Sequence, residues 1–196
     1  PGARDAQQIL HSFTNCRTLE SDGALVIERG KGIYVYDDAG KEYIEALAGL
    51  WSVAVGFGEK RLVDAATAQL SKLPYYHTFA QKSNNPMVEL SDRLLRLAPR
   101  PFSRVFFTNS GSEANDTVLK LVWYYNNALG RPEKKKIISR LGGYHGIAVS
   151  SGSLTGMPLM HQGFDLPIAN ILHTGNPHYY RHGLDGESEE DFATRR

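Results

Sequence analysis

The segment Thr108-Asn-Ser-Gly-Ser-Glu-Ala-Asn115 constrains this chain more than any other feature, because it joins a short apolar run to a long helical pattern. The run Arg104–Thr108 predicts a strand, and the apolar positions after Ser112 predict a helix that continues to Ala128. A further strand is predicted at Lys136–Arg140. Strand, helix and strand at this spacing are typical of a βαβ crossover in a parallel sheet, so we predict an α/β fold.

The part of the chain before this unit has a different pattern. A small antiparallel meander is predicted from three partly alternating runs, Ala24–Glu28, Gly32–Tyr36 and Glu42–Leu47. The sequence Asp37-Asp-Ala-Gly40 supplies the residues of a tight turn between the last two runs. Two helices follow, one at about 59–73 that Pro74 ends and one from Pro86 to Leu97.

Composition and charge exclude several classes of protein. The formal net charge is +1, from 22 Lys and Arg against 21 Asp and Glu, so we expect no nucleic-acid partner. The chain is 41% hydrophobic, which is too apolar for a disordered protein, and no apolar run approaches the roughly 18 residues of a membrane span. Because Cys16 is the only cysteine and no signal peptide is visible, we expect a cytoplasmic protein.

The Thr108–Asn115 segment has two interpretations, and the local pattern leaves both open. The first amides of a helix have no internal partner and bind phosphate well, with Gly111 giving access and the hydroxyls of Ser110 and Ser112 adding donors. Ser110 and Glu113 also have the spacing of a capping box, which needs no ligand. A Walker phosphate loop is excluded, because its G-x-x-x-x-G-K-[ST] pattern does not occur.

A second glycine-rich segment, Arg140-Leu-Gly-Gly-Tyr-His-Gly146, also follows a predicted strand. Ligands of open α/β sheets bind at the carboxyl ends of the strands, so we expect the two segments to face the same space. The Tyr144 ring could stack on a flat aromatic ligand. Taken alone, however, this segment favours a buried Tyr144 and a hydrogen-bonded His145 in a tight turn.

The remaining candidate residues are aromatic or histidine side chains. Ala48–Gly58 and Leu73–Ala80 are rich in apolar and aromatic residues, which line pockets and dimer interfaces as well as ordinary cores. We predict no metal site. Three histidines, His173, His178 and His182, lie close together along the chain, but no Cys or acidic residue completes a ligand pattern.

Taken together, these segments resemble the class III aminotransferases, pyridoxal-phosphate enzymes of the aspartate-aminotransferase fold, and among them the omega-amino-acid or amine:pyruvate transaminases. The resemblance rests on Gly32–Glu45, Ala48–Trp51, Leu73–Phe79, Val105–Asn115 and Gly143–Gly146. It implies the type I pyridoxal-phosphate-dependent transferase fold. On that basis we divide the chain into an arm with the meander, 1–55, and the first part of a large cofactor domain, 56–196, predicted to be incomplete.

The resemblance also implies roles for individual residues. Ser110, Gly111 and Ser112 match the loop that holds the 5′-phosphate of pyridoxal phosphate, and Tyr144 matches the aromatic residue that stacks on the cofactor ring, with His145 beside it. Trp51 matches a substrate-pocket residue, and Phe79 resembles a residue contributed across a dimer interface. The resemblance therefore implies a homodimer with shared sites, which transfers an amino group from an amine or omega-amino acid to pyruvate or another keto acid.

One element of the family's site has no counterpart in this sequence. The family's catalytic lysine, which holds the cofactor as a Schiff base, falls beyond the position of Arg196, and none of Lys120, Lys134, Lys135 or Lys136 has a matching context. We therefore expect these 196 residues to be inactive by themselves. The alternative is a non-catalytic or partner-dependent subunit of the same fold with a structural role.

Overall fold

The structure is a computed structural model that describes residues 1–196. It forms two compact units, Pro1–Glu89 and Leu90–Arg196, and the boundary between them lies inside a helix. The organisation into 1–55 and 56–196 stays a prediction. None of the helices combines the length and the apolar character that a bilayer span requires.

The first unit contains the predicted meander and four helical segments. Its strands β1, β2 and β3 are Ile27–Lys31, Tyr34–Asp37 and Glu42–Ile44, paired in antiparallel order. The helical segments are α1 (Gly2–Gln8), α2 (Cys16–Asp22), α3 (Ala48–Trp51) and α4 (Lys60–Lys72), and α5 (Asn85–Leu97) runs into the second unit. The predictions for α4 and α5 are confirmed, whereas the sequence had indicated no conformation for the arm that holds α1.

The meander differs from the prediction in its first strand. Pairing begins at Ile27 rather than Ala24, and Gly32 lies in the turn instead of opening the second strand. Gly32 has a φ of +60°, a left-handed conformation that glycine adopts without a steric penalty. The predicted turn at Asp37–Gly40 is confirmed, since the buried Asp37 carboxylate accepts hydrogen bonds from the Lys41 amide at 2.8 Å and the Tyr43 hydroxyl at 2.8 Å.

The segment α3 is a left-handed turn. The φ angles of Ala48, Gly49, Leu50 and Trp51 are +50°, +58°, +59° and +64°. Three of these residues carry a Cβ, and a left-handed helical conformation costs such residues roughly 1–2 kcal/mol each. The turn therefore depends on its surroundings, which include the Trp51 N–H bond to the Leu47 carbonyl at 2.9 Å.

The second unit contains a parallel strand pair with helices around it. Its strands are β4 (Ile137–Arg140) and β5 (Ile171–Thr174), and its helices are α6 (Gly111–Ala128), α7 (Val149–Leu154), α8 (Tyr179–His182) and α9 (Glu189–Arg195). The predictions for α6 and β4 are confirmed. Helix α7 begins three residues after Gly146, the last residue of the second glycine-rich segment.

The predicted strand at Arg104–Thr108 is wrong. An extended segment becomes a strand only when it shares hydrogen bonds with a neighbour, and no segment of residues 1–196 pairs with it. The parallel pairing predicted from βαβ spacing is found instead between β4 and β5, with α7 in the crossover. Strand β5 was not predicted, because its four residues include His173 and Thr174 and show no clear apolar pattern.

The core of the second unit joins α6, α7 and β5. Leu119 of α6 is 2% exposed and lies in one apolar cluster with Leu154 of α7 and Ile171 of β5. Trp123 packs against this cluster, and its indole N–H donates to the Lys135 carbonyl at 3.1 Å. The core therefore fixes α6 and α7 relative to the strand pair, and the glycine-rich loop that carries Tyr144 emerges from β4.

The C-terminal helix is held by charged side chains. Arg195 donates to both carboxylate oxygens of Glu187, at 2.6 and 2.8 Å, and also to the His182 carbonyl. Hydrogen bonding to Arg195, and then to the Leu184 amide, lowers the pKa of Glu187 to about 2. Helix α9 has Ser188 as its N-cap and acidic residues in its first turn, where they complement the helix dipole.

Gly156 closes the loop after β4 by close backbone contact. Its carbonyl accepts from the Gly142 amide at 2.7 Å, and its amide donates to the Gly143 carbonyl at 2.8 Å. A Cβ at this position would lie 2.0 Å from the Arg140 carbonyl oxygen, which is too close for any side chain. Only glycine fits here.

We therefore predict that Gly156→Ala lowers the free energy of unfolding of the full-length protein by about 1–3 kcal/mol, the usual range for overpacking. Gly152→Ala is the matched control, since a Cβ there would make an ordinary contact of 3.4 Å to Leu166 and would favour the helix. Urea unfolding of both variants measures the difference. Equal stabilities would contradict the backbone contact described.

Candidate functional site

Helix α6 begins with a side-chain cap. Ser110 has extended backbone dihedrals, and its Oγ accepts a hydrogen bond from the Glu113 amide at 3.2 Å. The Glu113 carboxylate accepts from the Asn109 amide at 2.9 Å, one residue before the partner of a standard capping box. The capping interpretation is thus correct, with a shifted acidic partner.

The cap leaves donors available for a ligand. The amides of Gly111 and Ser112 have no partner in the structure, and a Cβ at Gly111 would meet no atom within 4 Å apart from its chain neighbours and the backbone of its own helix. The Ser110 hydroxyl accepts in the cap, so its own proton remains free to donate. Capping and anion binding are therefore compatible at this helix end, where the dipole also favours negative charge.

The loop that carries Tyr144 and His145 lies against this end of α6. The Asn115 side-chain amide donates to the His145 carbonyl at 2.6 Å, and the Ile147 amide donates to Ser112 Oγ at 3.2 Å. One turn further along, Asp116 accepts from the Ser151 amide at 2.8 Å. The two glycine-rich segments are therefore in direct contact, as predicted, although only the second of them follows a strand.

Gly146 is the point of closest approach between the two segments. Its φ is +132°, and a Cβ would lie 2.5 Å from Ser112 Oγ and 2.7 Å from Ser151 Oγ. Any side chain here would push the Tyr144 loop away from the first turn of α6.

Tyr144 and His145 differ in their surroundings. The Tyr144 side chain is 59% exposed and makes no ring contact, so it is not the buried aromatic residue of the alternative interpretation. His145 is half-buried and is held through its backbone, because its amide donates to Thr155 Oγ1 at 2.9 Å. Their contacts with a cofactor stay predictions.

Trp51 and Phe79 belong to the first compact unit, Pro1–Glu89. Trp51 ends the left-handed turn α3 and is 78% exposed, and Phe79 is 81% exposed. Neither side chain stacks on another aromatic ring. Their roles in a substrate pocket and at a dimer interface stay predictions.

The roles of three residues in this region were not predicted from the sequence: Asn115, Asp116 and Thr155. Asn115 and Asp116 lie on α6 next to the glycine-serine motif, and their pattern could as well belong to a solvated helix face. Thr155 is fully buried, although nothing in its local sequence separates it from a loop threonine. Their partners lie 10 to 35 residues away along the chain, beyond the reach of periodicity.

The family model for aminotransferase class-III matches residues 18–195. Gamma-aminobutyrate transaminase 1, mitochondrial, of Oryza sativa subsp. japonica is 58% identical over 172 residues, which are 87% of this chain and 33% of the relative. Probable gamma-aminobutyrate transaminase 4 of the same plant is 53% identical over 195 residues, 99% of this chain and 40% of the relative. The chain thus spans a third to two fifths of the length of these curated relatives.

Solved structures of transaminases also resemble this chain. The omega transaminase of Pseudomonas jessenii in complex with PMP aligns with a TM-score of 0.96 and 60% identity, over 99% of this chain and 43% of that one. The architecture is therefore that of the type I pyridoxal-phosphate-dependent transferases, as predicted. The chain belongs to the class III aminotransferases, a family whose members depend on pyridoxal phosphate.

The Asp116 bond gives a prediction that needs no ligand. We expect Asp116→Ala to raise hydrogen exchange at the Ser151 amide about tenfold or more, since a lost bond to a charged group is worth about 1.5–3 kcal/mol. Asp185→Ala, which removes an exposed carboxylate without a hydrogen-bond partner, is the control. Exchange at Ser151 that does not respond to Asp116→Ala would contradict the anchoring of α7 by α6.

Proposed function

We propose that the protein carrying this chain is a pyridoxal-phosphate-dependent aminotransferase that moves an amino group from an amine or omega-amino acid to pyruvate or another keto acid. One observation carries the proposal. The Gly111 and Ser112 amides have no hydrogen-bond partner, and the loop that carries Tyr144 is bonded to the same helix end, through the Ile147 amide and the Ser112 hydroxyl. Membership of the class III family gives this arrangement its cofactor.

The residues present fit the phosphate of this cofactor. A phosphate dianion needs several donors and a positive potential, and the α6 N-terminus offers two amides, the Ser110 hydroxyl and the positive end of an 18-residue helix. Gly111 adds no side chain to this helix end, and the space that its Cβ would occupy is open. We assign Ser110, Gly111 and Ser112 to phosphate binding.

The ring of the cofactor would be held by the neighbouring loop. The exposed Tyr144 ring is free to stack on it, with His145 beside it. When bound, pyridoxal phosphate supplies an electron sink for the carbanion that forms at the amino donor. The lysine that carries the cofactor is expected beyond Arg196, so residues 1–196 contribute the phosphate and stacking side of the site.

Substrate recognition is proposed from the relatives. The rice relatives are named as gamma-aminobutyrate transaminases, which supports an omega-amino acid as donor. A thermostable omega transaminase variant engineered for the synthesis of bulky amines has substitutions at a tryptophan and a phenylalanine, separated along that chain as Trp51 and Phe79 are here. This correspondence supports Trp51 and Phe79 as pocket residues.

We further propose a homodimer with shared sites. Phe79 is exposed within its own unit, as a residue that reaches a neighbour's pocket must be. Light scattering of the full-length protein would detect the dimer, and a monomer that turns over substrate would refute it. The alternative of a non-catalytic structural subunit is not favoured, because the relatives over this segment are named as transaminases.

The cytoplasmic location stays a prediction. Several plant relatives carry the word mitochondrial in their names. Imaging a tagged full-length protein distinguishes the two compartments.

The activity is tested on the full-length protein. After addition of pyridoxal phosphate we expect a visible absorbance band of bound cofactor that bleaches with gamma-aminobutyrate or an amine and returns with pyruvate. Conversion of pyruvate to alanine gives an independent readout. A protein that binds no cofactor would refute the proposal, whereas binding without bleaching by any donor would support the non-catalytic alternative.

The stacking role of Tyr144 gives a second prediction. Tyr144→Ala should weaken pyridoxal phosphate binding by about 1–3 kcal/mol, the cost of removing an aromatic side chain at the centre of a binding site. Tyr144→Phe keeps the ring and should bind with nearly unchanged affinity. Equal dissociation constants for Tyr144→Ala and the unmodified protein, measured by fluorescence titration, would refute the role.

A further inference from the structure

Thr155 lies behind the Tyr144 loop and is 0% exposed. It follows α7 directly, and its amide donates to the Ser151 carbonyl at 3.1 Å. Its hydroxyl accepts from the His145 amide at 2.9 Å and lies within donor distance of two carbonyls, Gly146 at 3.1 Å and Ser151 at 3.2 Å. One side chain thus contacts the backbone of consecutive residues in the cofactor loop.

The loop needs such contacts because it has no regular structure. Residues 143–146 lie between β4 and α7 and belong to neither. Buried backbone groups outside helices and strands need side-chain or water partners. Asn115 supplies one on the α6 side, at the His145 carbonyl, and Thr155 supplies the other on the α7 side, at the His145 amide.

The two contacts act on opposite ends of the same residue. With its amide and carbonyl both bound, His145 cannot rotate its backbone without breaking a hydrogen bond. Tyr144 precedes it directly, so the same bonds hold the backbone from which the exposed Tyr144 side chain projects.

We infer that Thr155 is a positioning residue, whose hydroxyl holds the Tyr144–Gly146 loop in the conformation that receives the cofactor ring. The inference rests on the proposed function. Under this inference Thr155 supports the loop that binds the cofactor ring, whereas the phosphate is bound by the Gly111 and Ser112 amides, which make no contact with Thr155. Loss of the hydroxyl should therefore weaken ring binding much more than phosphate binding.

Two substitutions isolate the hydroxyl. Thr155→Val keeps the shape of the buried side chain but leaves the His145 amide and the Gly146 carbonyl without this partner. Thr155→Ser keeps the hydroxyl and removes one methyl group. Thr194→Val is the matched control, because the exposed Thr194 hydroxyl bonds only the Glu190 carbonyl within its own helix.

The full-length protein in its cofactor-free form is titrated with pyridoxal phosphate, and inorganic phosphate is then used as a competitor. For Thr155→Val we expect a dissociation constant for pyridoxal phosphate raised about tenfold, as for a lost buried hydrogen bond, with the phosphate inhibition constant changed by less than about twofold. The visible circular dichroism of the bound cofactor should fall. Thr155→Ser and Thr194→Val should resemble the unmodified protein.

Two outcomes would overturn the positioning role of Thr155. A lowered melting temperature of Thr155→Val with unchanged cofactor affinity and circular dichroism would mean a purely structural role and overturn the inference. An equal loss of phosphate affinity would also overturn it. If Thr155→Val does not fold, Asn115→Ala is measured in its place. It must likewise raise the dissociation constant for pyridoxal phosphate while leaving the phosphate inhibition constant nearly unchanged. An unmodified protein that binds no pyridoxal phosphate would refute the proposed function itself.

Discussion

The contact between the Gly146 backbone and the Ser112 hydroxyl is the constraint on which the candidate site depends. There is no room for a Cβ between them, so the loop after β4 can lie against the first turn of α6 only with glycine at this position. The bond from the Ile147 amide to Ser112 then joins the two segments. A phosphate at the helix end and a ring beside Tyr144 would thus be recognised by parts that are already joined.

The support behind this contact is polar as much as apolar. Leu119, Leu154 and Ile171 form a small apolar cluster, but the side chains with no exposure at all are those of Ser151, Ser153 and Thr155. Each hydroxyl bonds a backbone group, and Ser153 connects the Val149 carbonyl to the Ile168 amide. Such bonds are directional, so they fix the path of an irregular crossover more tightly than apolar packing would.

The sequence predicted best what is determined locally. Helices α4, α5 and α6 follow from apolar periodicity, from prolines at their ends and from the Ser110 cap, and the loop beside α6 was predicted from glycines that follow β4. Arg104–Thr108 failed because a strand needs a partner, which composition does not reveal. Thr155 was missed because its importance lies in contacts made across the fold. Ala48–Trp51 was missed because non-glycine residues rarely adopt positive φ.

Trp51, the proposed pocket residue, ends the left-handed turn at Ala48–Trp51. A substitution at this position therefore changes both the size of the side chain and the conformational energy of the backbone. Glycine at Trp51 would remove a large ring and at the same time relax a conformation that disfavours any Cβ. Leucine or methionine would shorten the side chain and keep the backbone cost, and a β-branched residue would increase it. A series of substitutions at Trp51 therefore changes two variables together, and substrate scope and thermal stability need not follow the volume of the new residue.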